Sequence, residues 1–138
     1  MWFNRACPDL RLCILWFSIG CLLVASVIYL SLTSDPVDFG VSFPYEDKVQ
    51  HALAYFVLMA WFGQIYHGRS ERIIVAMLFI IMGVTLEYFQ SFNPHRYAEF
   101  GDMVANATGV ILGFYLTLTN AKNGLRKIEG WFGRVLSG

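Results

Sequence analysis

The sequence predicts an all-α, polytopic membrane protein: a four-transmembrane-helix bundle with a C-terminal amphipathic helix. Three observations lead there. Apolar residues make up 57% of the 138 and charged residues 14%, where soluble domains carry about 45–50% and about 25%, and the mean hydropathy is +0.51. The apolar residues gather into four runs separated by short polar turns. Lys and Arg concentrate in alternate turns, as they do in multi-pass chains. The length suits one domain, residues 1–138.

The head, residues 1–11, carries Arg5, Asp9 and Arg11. Residues 12–34 then hold no charge. At about 1.5 Å per residue such a run is long enough for the roughly 30 Å hydrocarbon core. A cleaved signal has an apolar centre of only about 7–15 residues. Ser18-Ile19-Gly20-Cys21 is similar to a lipoprotein cleavage site, yet the run continues well past Cys21, so a retained anchor is expected. The first loop, 35–48, is acidic, with Asp35, Asp38, Glu46 and Asp47 against Lys48. Pro36, Gly40 and Pro44 break any helix there.

The second span is expected over 47–66, with Gln50 and His51 near its start. Residues 68–72 form a tight basic turn. The third span covers 72–90, and residues 73–86 within it are all non-ionic. A polar loop at 93–101 follows, then a fourth span at 102–119. The tail, 125–136, places Leu125, Ile128, Phe132 and Leu136 at three-to-four spacing, with Arg126, Lys127 and Arg134 between, which suits a helix lying on a membrane surface. Gly130 and Gly133 weaken that helix.

Cytoplasmic segments carry the excess of Lys and Arg. Of the ten, Arg5, Arg11, Arg69, Arg72, Lys122, Arg126, Lys127 and Arg134 fall in the head, second loop and tail. Only Lys48 and Arg96 fall in the other two loops. Both termini are therefore expected on the cytoplasmic side, with the first and third loops outward. Net charge is zero, so no basic field invites nucleic acid. Three cysteines without a C-x-x-C spacing imply neither a disulfide framework nor a thiolate metal site.

This topology brings the polar residues of three spans to the outer face. Asp47, His51 and Tyr55 recur at helical spacing on one face, Glu87, Gln90 and Ser91 on a second, and Asp102 and Asn106 on a third. Ionisable groups at membrane depth pair, face the bundle interior or line a wet cavity. Glu87, ending the non-ionic run, is expected to face Arg96, Lys48 or His51. Each has a plainer role too: Glu87 with Arg96 as a structural ion pair, Asp102 as a helix N-cap, His51 and Asn106 as interhelical hydrogen-bond groups. Ala105, Gly109 and Gly113 repeat every four residues, a small-residue stripe for close packing against another helix of the chain or against a second copy. No H-E-x-x-H or G-x-S-x-G spacing occurs, so no metal, cofactor or nucleophile is assigned.

Asp47-Lys48-x-x-His51-x-x-x-Tyr55-x-x-Leu58, Glu87-x-x-Gln90-x-Phe92-x-Pro94-x-Arg96 and Asp102-x-x-x-Asn106-x-x-Gly109-x-x-x-Gly113 together resemble the VanZ-like family, over a motif core of 47–114. The resemblance implies a small multi-pass protein of the bacterial inner (plasma) membrane with a cell-envelope role. The family's namesake is associated with resistance to teicoplanin, a glycopeptide that binds cell-wall precursors outside the membrane. The residues carried over are Asp47, Lys48, His51, Glu87, Gln90, Arg96, Asp102 and Asn106, and the resemblance supplies no reaction for them. Three functions stay open. In the first, Lys48 and Arg96 contact an anionic lipid or a lipid-linked cell-wall precursor in an outer pocket. In the second, His51 or Glu87 is the acid/base of an enzyme acting on a lipid-linked substrate. In the third, the cluster only locks the helices.

Overall fold

The computed structural model describes residues 10–33, 45–92 and 99–136. They form five α-helices and one short 3-10 turn, Asn120–Asn123, with no strand among the described residues. The helices are α1 (Cys13–Leu32), α2 (Glu46–Ile65), α3 (Arg69–Gln90), α4 (Phe100–Leu116) and α5 (Gly124–Leu136). A helix is found within a few residues of each stretch expected to span. Two of them, α1 and α3, are long and apolar enough to cross a membrane by length and composition. Pro94, His95 and Arg96 lie outside the described residues, as do Asp35 and Asp38 of the first loop.

The tightest seam joins α2 and α4, and its cause is the glycine stripe. A Cβ at Gly109 would land on the backbone carbonyl of Ala52. One at Gly113 would come within 2.8 Å of both the Phe56 carbonyl and the Met59 Cβ. Only glycine permits this approach. The stripe therefore serves a helix of the same chain. Ala105, one turn earlier, is half-buried. Gly83 plays a similar part on α3, where a Cβ would meet the Asn106 side chain at 3.2 Å and Tyr55 at 3.4 Å.

The core fills the space beside that seam. Tyr55, Leu58, Met59 and Ile65 of α2 and Val110 of α4 are almost wholly buried. Edge-on aromatic contacts carry the packing outward, from Phe79 to Phe62 at 5.5 Å and on to Phe17 at 6.1 Å. Trp16 and Trp61 meet the same way at 5.9 Å, and the Trp61 indole donates to the Trp16 carbonyl. By contrast, Ile14, Leu15, Leu22 and Tyr29 of α1 and Ile73, Met77, Leu78 and Ile81 of α3 point outward.

One end of the bundle is closed by polar residues that look like surface charges in the sequence. Arg72, in the first turn of α3, is 4% exposed. Its Nε donates to the carbonyls of Gly63 (3.1 Å) and Tyr66 (2.8 Å), and an Nη donates to the Thr117 carbonyl (2.9 Å). These carbonyls belong to the C-terminal ends of α2 and α4, which lack intrahelical partners and carry partial negative charge. Arg72 was expected in an exposed basic turn; it is a buried clamp, because three acceptors converge where a planar fork can reach them.

Glu129 of α5 closes the same end. Its carboxylate accepts from the backbone N–H of Arg11 (2.8 Å) and Leu12 (2.9 Å) and from the Trp16 indole (2.6 Å). It satisfies donors at the start of α1 that the Leu12 cap leaves without a side-chain acceptor. Gln64 of α2 accepts from the Leu125 N–H at 2.9 Å and fixes the other end of α5. The tail helix runs on through Gly130 and Gly133, where an added Cβ would meet nothing within 4 Å. Cys13 is disulfide-bonded, which the spacing did not imply, and Cys21 is a free, exposed thiol.

The Glu129 contact is pH-sensitive. Partial burial pushes its carboxyl up, but the Arg11 and Leu12 amides and the Trp16 ring outweigh this and hold it below the usual 4.5. A depressed folded value contributes stability above the unfolded value and loses it as pH falls through the folded one. The α1–α5 contact should hold at neutral pH and loosen below about 4.5. Tryptophan emission should report a transition in that acid range, and Glu129→Gln should lack it. Superimposable titrations of the two proteins would remove the contact from the account.

Candidate functional site

At the opposite end, the first turns of α2 and α4 meet the last turn of α3. The Asp47–His51 spacing puts both on one face of α2. The structure turns that face toward α4, against which Gly109 lets α2 settle. His51 Nδ1 lies 3.1 Å from Asn106 Oδ1 on α4 and 3.9 Å from Glu87 Oε1 on α3. In the tautomer with its proton on Nδ1 the ring donates to Asn106 and presents the Nε2 lone pair to the rim; the other tautomer reverses these roles. Nε2 faces the Asp47 carboxylate at 3.6 Å.

Lys48, the next residue of α2, points to α4. Its ammonium donates to Glu99 at 2.7 Å and lies 3.3 Å from Asp102 Oδ1. The short bond to Lys48 holds the Glu99 carboxyl below the usual carboxylate range. The two Lys48 contacts are unequal. Glu99 receives a well-directed hydrogen bond, whereas Asp102 Oδ1, though within ion-pair distance, receives none. We take Glu99 as the partner of Lys48 and the Asp102 contact as charge proximity. A Cβ at Gly101 would reach the Lys48 stem at 2.7 Å, so glycine there gives the lysine its path.

Burial divides the group. Glu87 and Asp102 are 1% and 3% exposed, and Asn106 and Tyr55 are equally enclosed. Glu87 Oε2, Asp102 Oδ1 and the Tyr55 hydroxyl have no hydrogen-bond partner. Asp47 faces solvent, with 65% of its side chain exposed. The site thus grades from a sealed floor to an open rim. Four carboxylates (Asp47, Glu87, Glu99, Asp102) stand among the described residues around one lysine and one imidazole.

Asp47, Lys48, His51, Glu87, Asp102 and Asn106 are brought together as the sequence led us to expect. Two expectations change. Gln90 belongs elsewhere: it is buried, and its amide donates to the Ser31 carbonyl at 2.8 Å, tying α3 to the last turn of α1. Asp102 is not the N-cap. The helix starts at Phe100 with Glu99 as cap residue, so Asp102 lies inside the first turn and faces Lys48. Glu87 faces His51, one of its three expected partners; another, Arg96, lies outside the described residues. Glu99, not singled out from the sequence, is the closest partner of Lys48. Its signal was faint, an acid three residues before Asp102 at the mouth of a helix.

No family profile matches the chain. The chain is similar to an uncharacterized protein of Schizosaccharomyces pombe, 29% identical over 120 residues that cover 83% of this chain and 74% of that protein. That relative is eukaryotic, so a bacterial setting draws no support from it. No solved structure matches.

Proposed function

We propose that this is a multi-pass membrane protein whose pocket holds the headgroup of a lipid-linked glycan. The observation that carries the proposal is the convergence of His51, Asn106, Glu87 and Asp102 from three helices at one end of an apolar bundle. The outward apolar faces of α1 and α3 are too extensive for a typical water-soluble surface and suit acyl chains. In this reading α1 to α4 cross the bilayer and α5 lies along its cytoplasmic surface. The VanZ-like resemblance, and with it the bacterial plasma membrane, belongs to the same proposal.

The Lys and Arg distribution supports a topology with both termini in the cytoplasm and the pocket outside. The Cys13 disulfide pulls the other way, because disulfides persist in oxidising compartments. We give weight to the charge bias, which rests on eight residues in three segments. Labelling of introduced tail cysteines in sealed vesicles reads the orientation directly.

The local charge selects the headgroup. Lys48 is already held by Glu99, so a bare anionic lipid is the weaker ligand. Sugar hydroxyls donate to carboxylates, and Asp47 and Glu99 stand at the open rim to accept them. Purified protein should retain a polyprenyl-linked sugar over phosphatidylglycerol. Asp47→Asn should weaken retention about tenfold or more, the weight of a hydrogen bond to a charged group. Equal retention of both lipids, or no change in Asp47→Asn, would sink the reading.

A second reading has its own observation. Asn106 and Glu87 orient the His51 ring and leave Nε2 toward the rim, the arrangement a general base needs. An enzyme acting on the same lipid-linked substrate loses turnover in His51→Gln while keeping binding; a binding protein does not.

A further inference from the structure

We infer that the rim of this site is a divalent-cation site, with Asp47, His51 and Asp102 as ligands. A carboxylate oxygen of each Asp and a ring nitrogen of His51 lie within 4.8 Å of one another. Three separate features point to a cation. The first is the imidazole: in the tautomer that donates from Nδ1 to Asn106, Nε2 presents a lone pair 3.6 Å from the Asp47 carboxylate. In that tautomer a proton or a metal ion between the two acceptors removes their repulsion. The second is Asp102, buried, with a carboxylate oxygen inside that 4.8 Å group and Oδ1 offset only by the Lys48 ammonium at 3.3 Å. A metal ion would offset the remaining desolvation cost of that carboxylate.

The third is the support behind the ring. Metal-bound histidine donates its other nitrogen to a carbonyl or carboxylate, which fixes the tautomer. Asn106 occupies that position, and Glu87 stands behind it at 3.9 Å. Ligand atoms on an ion at about 2.0–2.2 Å sit roughly 3–3.5 Å apart. The His51–Asp47 pair is nearly there, and the exposed Asp47 side chain is free to close the rest. Two carboxylates and one imidazole suit a first-row divalent ion such as Mn2+ or Zn2+. Three protein ligands leave coordination positions on the open side for water, a hydroxyl or a phosphate oxygen. Lys48, 3.3 Å from Asp102, competes with the ion for that carboxylate.

This inference does not depend on the glycan reading, and its test contains no lipid. Full-length protein in detergent, stripped with chelator, is titrated with Mn2+ or Zn2+ alone by calorimetry, with Mn2+ also followed by electron paramagnetic resonance. Wild type should take up one equivalent. Asp47→Asn, at an exposed position that cannot unfold the bundle, should weaken uptake by about tenfold or more. His51→Ala should weaken it further, and Lys48→Met, which removes the competitor, should tighten it. Absence of saturable uptake by wild type overturns the site. So does uptake that Asp47→Asn and Lys48→Met both leave unchanged.

Discussion

Arg72→Ala is expected to cost about 3–5 kcal/mol of stability, enough to lower the abundance of the protein sharply. The guanidinium serves the carbonyls of Gly63, Tyr66 and Thr117, all at the buried end of the bundle. Hydrogen bonds to a charged group contribute about 1.5–3 kcal/mol each, and acceptors left buried and unpaired add to the loss. Alanine also opens a void between three helix ends. Arg72→Lys keeps a positive charge at two helix C-termini but loses the planar fork. It should recover only part of the loss. Unfolding in detergent micelles, followed by circular dichroism, orders the three proteins as wild type, lysine, alanine. If the alanine variant melts with wild type, the clamp holds nothing.

Gly109→Leu should be comparably damaging, for a different reason. Overpacking normally costs about 1–3 kcal/mol, and side chains absorb some of it by moving. At Gly109 the obstruction is the Ala52 carbonyl, and the Phe56 amide lies 3.0 Å from the added Cβ. Backbone cannot rotate aside, so α2 and α4 must part. That separation pulls His51 from Asn106 as well, so ion uptake and stability should fall together. Gly109→Ala meets the same carbonyl and should already be harmful. Gly130→Ala is the control: a Cβ there meets nothing within 4 Å, and a better helix former should be neutral or stabilise by up to about 1 kcal/mol. Equal stability of the Gly109 and Gly130 variants would show that the α2–α4 seam is looser than described.

The helices were legible because an apolar run of helical length between polar turns folds as a helix, whether its surroundings are a core or lipid. The site was legible in part for the same reason. Glu87 interrupts a non-ionic helix, and an acid there needs a partner. Asp47 and His51 share a face by spacing alone. What the sequence hid was decided by distant contacts. Arg72 and Glu129 are ordinary surface residue types, and nothing near them in the chain says that one acceptor of Arg72 lies 45 positions away and the donors to Glu129 113 to 118. Gln90 was misplaced because helical spacing puts it beside Glu87 but does not say which neighbour its amide will meet. Asp102 was misjudged by a shift of two residues in where the helix begins, which moved its carboxylate from the cap into the interior.

The carboxylate that receives the Arg11 and Leu12 amides is made more than a hundred residues after them. During synthesis α1 therefore emerges with its first donors unmet and with few core residues of its own, Trp16 and Gly20 being the buried ones. The α2–α4 seam needs nothing from α5, and both of its helices are complete before α5 leaves the ribosome. Chains stalled before Glu129 should hold a formed pocket beside a loosely attached first helix. Of the five described helices, the last made thus fastens the first.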